Sequence, residues 1–169
     1  MTSYLWPPPA PAALTVRGSD VRLPVHRLFF VGRNYHAHAR EMGVVIDKAS
    51  ACPFDFTKSP VHLLPSGATL PYPPGTADFH HEVELVVVLG RGAITLEVNG
   101  ALRQRADLAD LIWSVPELIP DLSQFDHLQP GDVIDTGTPE SVGPVEPGDQ
   151  LCGRIDGVGE VRLTIGPAA

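Results

Sequence analysis

Glu82 and Glu84 stand two positions apart in HEVELVVVL (81–89), a run whose alternation reads as a β-strand. On a strand that spacing turns both carboxylates to one face, about 6.5 Å apart along the chain. Without a cation the two repel, and one is driven to take up a proton. Around a hard divalent cation both stay ionised, and oxygen-only ligation suits Mg2+, Mn2+ or Ca2+. The plainer alternative is the polar face of a half-buried strand. Val86 and Val88 continue the same face, which favours a cavity mouth over open solvent. A second pair, His38 and Glu41, is spaced to share one face of a short helix. A carboxylate that holds an imidazole in one tautomer equips it to draw a proton from water; the competing reading is a surface ion pair. Third, Gly137 lies between threonines in DTGTP (135–139). It can aim backbone N–H groups, with Thr138 Oγ, at an anionic oxygen, or simply close a tight turn. His36-x-His38 is a poor zinc pair, because the two would diverge by about 200° on a helix. His80 and His81 face opposite sides of the strand, and both read as solvated. No P-loop, nucleophile elbow, CxxC or HExxH occurs.

The elements that must hold these residues are short strands and turns. With 16 Gly and 18 Pro in 169 residues, the chain reads as one β-rich domain and not as a helical bundle. Residues 1–20 form a Pro- and Ala-rich arm, and 21–169 the domain. Leu28–Val31 reads as a buried strand, and Tyr35–Met42 as a short helix that Asn34 can cap. Phe54 and Phe56 share one side of a strand ending at Lys58, and 64–75 is turn-rich. Ile94, Leu96 and Val98 alternate before Asn99-Gly100, a type I′ hairpin signal. Ser114 and Glu117 make a capping box, followed by a helical face of Leu118, Ile119, Leu122 and Phe125 that Pro120 kinks or restarts. The remainder is β. Net charge is −8 with no basic run, which argues against nucleic acid and anionic membrane as partners. The longest apolar stretch is too short to span a bilayer. The opening residues lack a secretory pattern, so the cytoplasm is the expected compartment. Cys52 and Cys152 both read as small buried hydrophobes.

Taken together the motifs resemble the fumarylacetoacetate hydrolase family. The matching segments are VGRNYHAHAREMG (31–43), FDFTKSP (54–60), HHEVELVVVLGRG (80–92), ITLEVNGALRQ (94–104) and LQPGDVIDTGTPESVG (128–143), in the family's order. Within the family they are most similar to bacterial fumarylpyruvate hydrolases and acylpyruvases. The resemblance implies an α+β, mainly β fold, a mixed β-roll, here incomplete, and a homodimer. It implies metal-dependent hydrolysis of a carbon–carbon bond in a small dicarbonyl acid, with Mg2+ or Mn2+ as cofactor. By motif match Glu82 and Glu84 are metal ligands and His38 with Glu41 the water-activating dyad. Thr138, Gly137, Lys58 and Arg33 are the substrate-binding candidates. The family carries several dozen further residues between Gly92 and Ala93, which bring a third metal carboxylate and an active-site lysine. Their absence implies an internal deletion near 90–94 and keeps a second expectation open, a catalytically impaired binding or structural subunit. Related isomerase and decarboxylase activities are also open. A cupin-like site on His36, His38 and Glu41 is less well supported, since the spacing is off by one and falls on helix-forming residues.

Overall fold

In the computed structural model, residues 5–16, 18–86 and 93–168 are described. Their elements are β1 (Ala13–Thr15), β2 (Arg22–Pro24), β3 (Arg27–Gly32), α1 (His36–Glu41), β4 (Phe54–Lys58), β5 (Ala68–Tyr72), β6 (His80–His81), β7 (Ala93–Val98), β8 (Ala101–Asp107), α2 (Val115–Phe125), β9 (Asp132–Asp135), β10 (Gly143–Pro144), β11 (Gln150–Ile155) and β12 (Gly159–Ala168). The fold is mostly β. A five-stranded sheet runs β5-β12-β11-β7-β8 and a three-stranded sheet β4-β3-β9, with two small ribbons, β1-β2 and β10-β6. Pairing is antiparallel except for β12 with β5 and β3 with β9.

Local chemistry explains the best-defined parts. Asn99 and Gly100 both take positive φ, 52° and 76°, the type I′ geometry whose twist matches the two flanking strands; β7 and β8 pair across them. Ser114 caps α2 reciprocally with Glu117, whose carboxylate accepts from the Ser114 N–H at 2.8 Å. The helix runs on through Pro120. The bond that Pro120 cannot make lies in the first turns, so one missing donor does not break the helix. Only half of the expected apolar face is inside: Leu118 and Leu122 are buried, while Ile119 and Phe125 are exposed.

Two cores result. Phe29, Val31 and Ile134 of the small sheet pack with Ile112, Trp113, Leu118 and Leu122. Val83 and Leu85 pack on Ile94, Leu96 and Leu108 of the large sheet. The turn-rich stretch 64–75 contains a strand, β5, at the edge of the large sheet, where Pro71 costs no ladder bond. Cys52 is exposed, unlike Cys152, because it lies in the loop before β4 and not in a strand.

Candidate active site

The segment that carries the carboxylates is not the strand that its alternation predicts. Only His80–His81 is in a strand, and Val86 makes an isolated bridge to Asp135; residues 87–89 of the expected strand lie outside the described residues. Between them side chains bond two of the backbone groups. Val83 N–H is shared by Gln104 Oε1 and Thr138 Oγ1, each at 3.2 Å, and the Leu85 carbonyl accepts from Thr136 N and Oγ1. The alternation survives without a ladder, since Val83 and Leu85 are buried while Glu82 and Glu84 line a cavity.

That cavity has a volume of about 410 Å3, and its wall includes Glu82, Glu84, His38, Thr138 and Arg33, with an apolar side of Val31, Met42, Val44, Phe54 and Phe56. Residues more than a hundred positions apart meet here because β3 pairs with both β4 and β9. β3 delivers Arg33 and α1, β4 delivers the two phenylalanines, and β9 leads into Thr138. Gly137 allows the chain to turn: its φ is 104°, and a Cβ there would sit 2.7 Å from Asn34 Cβ and 2.8 Å from the Val31 carbonyl. Asn34 does not cap α1. Its amide donates to the Trp113 and Thr136 carbonyls at 2.9 and 2.8 Å and accepts from Trp113 N–H, a clamp better served by a buried amide than the exposed start of a one-and-a-half-turn helix.

His38 is buried, with Nδ1 3.5 Å from Glu41 Oε2. That separation is an ion-pair distance and not a hydrogen bond, so Nδ1 has no hydrogen-bond partner. The Glu41 carboxylate accepts instead from Ser141 N–H at 2.9 and 3.0 Å, and Ser141 adopts φ 69° to present it. Gly137 N–H does meet an acidic oxygen, and that oxygen belongs to the Glu84 carboxyl, at 2.8 Å. Thr138 is buried and its Oγ1 already accepts two hydrogen bonds. Lys58 lies outside the cavity wall, its Nζ 4.3 Å over the Phe30 ring. Arg33 holds φ 59° with its guanidinium 4.5 Å over Phe54. His36 is exposed and lines a different cavity. His80 is exposed and bonded to Asp78, whereas His81 is buried, which corrects the reading of both as solvated. The sequence gives Gln104 no individual role, offers Asn34 only as a helix cap and includes Asp135 only as part of DTGTP, yet all three are buried.

The electrostatics are those of uncompensated negative charge. Burial, reinforced by Asp135 and Glu82 and opposed by Gly137 N–H and Lys58, pushes the Glu84 carboxyl up to about 8. Burial likewise raises Asp135 to about 7, against the pull of Lys58. A hard divalent cation fits this donor set, since it would hold ionised the carboxylates that otherwise bind protons. Among the described residues no cluster of three His, Cys, Asp or Glu forms around a possible metal position. Glu82 and Glu84 would therefore hold such an ion together with water and ligand oxygens.

Residues 27–95 and 92–166 match the family described as Fumarylacetoacetate (FAA) hydrolase C-terminal. The chain is 36% identical over 191 residues to a fumarylpyruvate hydrolase of Ralstonia sp, covering 75% of this chain and 100% of that protein. It is 31% identical over 213 residues to the 4-hydroxyphenylacetate degradation bifunctional isomerase/decarboxylase of Escherichia coli, covering 88% of this chain and 49% of that protein. The crystal structure of fumarylpyruvate hydrolase from Pseudomonas aeruginosa in complex with Mn2+ and pyruvate superposes with a TM-score of 0.91 at 34% identity, covering 98% of this chain and 100% of that one.

Proposed function

The chain belongs to the fumarylacetoacetate hydrolase family, and from that premise we propose that it is a metal-dependent hydrolase that splits an acylpyruvate into a carboxylic acid and pyruvate. The observation that carries this reading is the meeting of Glu82, Glu84 and His38 on one cavity wall. The similarity to fumarylpyruvate hydrolases supports the substrate class, and the Mn2+ and pyruvate of the Pseudomonas aeruginosa protein support a divalent ion, Mg2+ or Mn2+.

In this reading Glu82 and Glu84 hold the ion, which when bound draws electron density from the α-keto acid end of the substrate. His38, with its Nδ1 side turned to Glu41, takes a proton from water as the hydroxyl adds to the distal carbonyl. The carbon–carbon bond then breaks, its electron pair stays with the pyruvate fragment, and the His38 proton passes to that carbon. The acyl half leaves as the acid. Arg33 and the two phenylalanines border the space left for the acyl group, and Lys58 moderates the charge of Glu84 and Asp135. A homodimer goes with the family resemblance and is checked by the molecular mass in solution.

A second reading is favoured by the alignment itself. Because 75% of 169 residues is about 127, some 64 of the 191 aligned positions have no residue in this chain, and the two family matches overlap at 92–95. In this second reading an internal deletion there, in a domain spanning 21–169, would leave two metal carboxylates and a weakened catalyst serving as a binding or structural subunit. Pyruvate release from an acylpyruvate with Mn2+ present, beside Glu82→Ala and His38→Ala, separates the two. Turnover abolished by both substitutions supports the hydrolase, and no turnover by the unmodified chain supports the subunit.

A further inference from the structure

Gln104 is fully buried on β8, outside the cavity wall, yet its amide joins two segments that form that wall. Nε2 donates to Thr138 Oγ1 at 3.1 Å, to the Pro139 carbonyl at 2.9 Å and to the Glu140 carbonyl at 3.2 Å, while Oε1 accepts from Val83 N–H at 3.2 Å. The two carbonyls can only accept, which settles which end of the amide is nitrogen. Thr138 Oγ1 receives a second donor, the Val83 N–H, also at 3.2 Å. A hydroxyl has two lone pairs and one proton. Here each lone pair faces a donor, the Val83 proton being shared with Gln104 Oε1, and among the described residues nothing accepts the Thr138 proton. Thr136, two residues earlier, is the contrast, because its Oγ1 donates to the Leu85 carbonyl at 3.0 Å.

We propose that Gln104 is a positioning residue that, with Val83 N–H, fills the Thr138 lone pairs and so makes the hydroxyl an obligate donor into the cavity, selecting a ligand that places a carboxylate or carbonyl oxygen there. The identity of that ligand as an α-keto acid rests on the acylpyruvate reading. The role of Gln104 rests only on the geometry. Removing Gln104 frees a lone pair, so the hydroxyl can turn and its proton is no longer committed to the ligand. Loss of one such hydrogen bond to a charged oxygen weakens binding about ten-fold.

The test is a double-mutant cycle on Gln104→Met, Thr138→Val and the pair, with pyruvate affinity measured by calorimetry in the presence of Mn2+. Gln104→Met is expected to weaken pyruvate about ten-fold in the parent chain and less than about two-fold on the Thr138→Val background. Equal losses on both backgrounds overturn the proposal, since they mean that Gln104 does not act through the hydroxyl. In pyruvate-release assays the loss is expected in KM with kcat nearly unchanged, the pattern of uniform binding; a loss confined to kcat overturns it. Thr138→Ser, which keeps the hydroxyl, is expected to bind as the parent does. Equal weakening by serine and valine overturns the donor role even if Gln104→Met does not fold. Melting temperatures of the same variants read the Gln104–Thr138 bond without any ligand, and additive losses there overturn the proposal. A parent chain that binds no pyruvate with Mn2+ present overturns the acylpyruvate reading instead, and leaves the bond to be judged by melting.

Discussion

Glu117 and Glu84 are the same residue under opposite regimes. At the start of α2, Lys48 at 2.7 Å and the Ser114 N–H and hydroxyl hold the Glu117 carboxylate down at about 2. In the cavity, burial beside Asp135 and Glu82 pushes Glu84 up to about 8. In the scaffold several charges are paired: Arg27 bonds Asp132 through Nε and Nη2 at 3.0 and 2.6 Å and Asp126 at 2.7 Å, tying the end of α2 to β3 and β9. The cavity collects carboxylates that have no such partner. Carboxyl groups that the fold leaves without a counter-charge mark a candidate ligand site.

The contrast is broken most severely from the cavity side. His38→Ala and Glu84→Gln are expected to lower pyruvate release by about 10²–10⁴-fold, with Glu117→Gln, the matched change in the scaffold, leaving the rate within about two-fold. Steady-state assays with Mn2+ check both, and a comparable loss in Glu117→Gln ends the distinction. Next in size is a change of pure packing. Leu118 is fully buried in the small-sheet core, and Leu118→Ala is expected to cost about 2–5 kcal/mol in urea denaturation.

The pH dependence then sharpens the comparison, because the two carboxylates act with opposite sign. Glu84 has a folded pKa near 8 against an ordinary 4.5, so the folded chain holds a proton that the unfolded chain releases between those values. Stability of the metal-free protein therefore falls as pH rises through that window. Melting temperatures across it are expected to fall in the parent chain and to be flatter in Glu84→Gln. Glu117, held at about 2, works the other way: its contribution is full above pH 4.5 and is lost as pH falls toward 2. Being half-exposed, it bends the acid limb only slightly, an effect that Glu117→Gln should erase. Smallest is the cap, where Ser114→Ala is expected to cost about 1 kcal/mol in the same melts.

What was legible from sequence followed local chemistry. The Asn99-Gly100 turn and the Ser114–Glu117 box each depend on neighbours a few residues away. Glu82, Glu84, His38 and Thr138 were legible as candidates because their types and spacing state a chemistry, and the structure places them on one cavity. What escaped depends on distant partners. The carboxylate segment alternates like a strand, but Gln104, Thr136 and Thr138 bond two of its backbone groups, and none of them is its neighbour in sequence. Asn34 reads as a helix cap because its actual partners, Trp113 and Thr136, lie 79 and 102 residues away. Gln104 reads as one polar residue in a hairpin. Only the return of the chain at 138–140 makes it the joint between two walls.

The parallel pairing of β3 with β9 sets the order in which a nascent chain can acquire these properties. Arg27 and Asp132 are 105 residues apart, Glu41 and Ser141 a hundred, and Glu84 and Gly137 are 53 apart. Contacts of such separation close late, after local ones such as the β7–β8 hairpin. A polypeptide still short of residue 132 therefore has its hairpin but no cavity, and its Glu84 remains an ordinary solvated carboxylate. The burial that raises Glu84 arrives only when residues 132–138 return across β3, so the cavity closes after the hairpin has formed and not by degrees along with it.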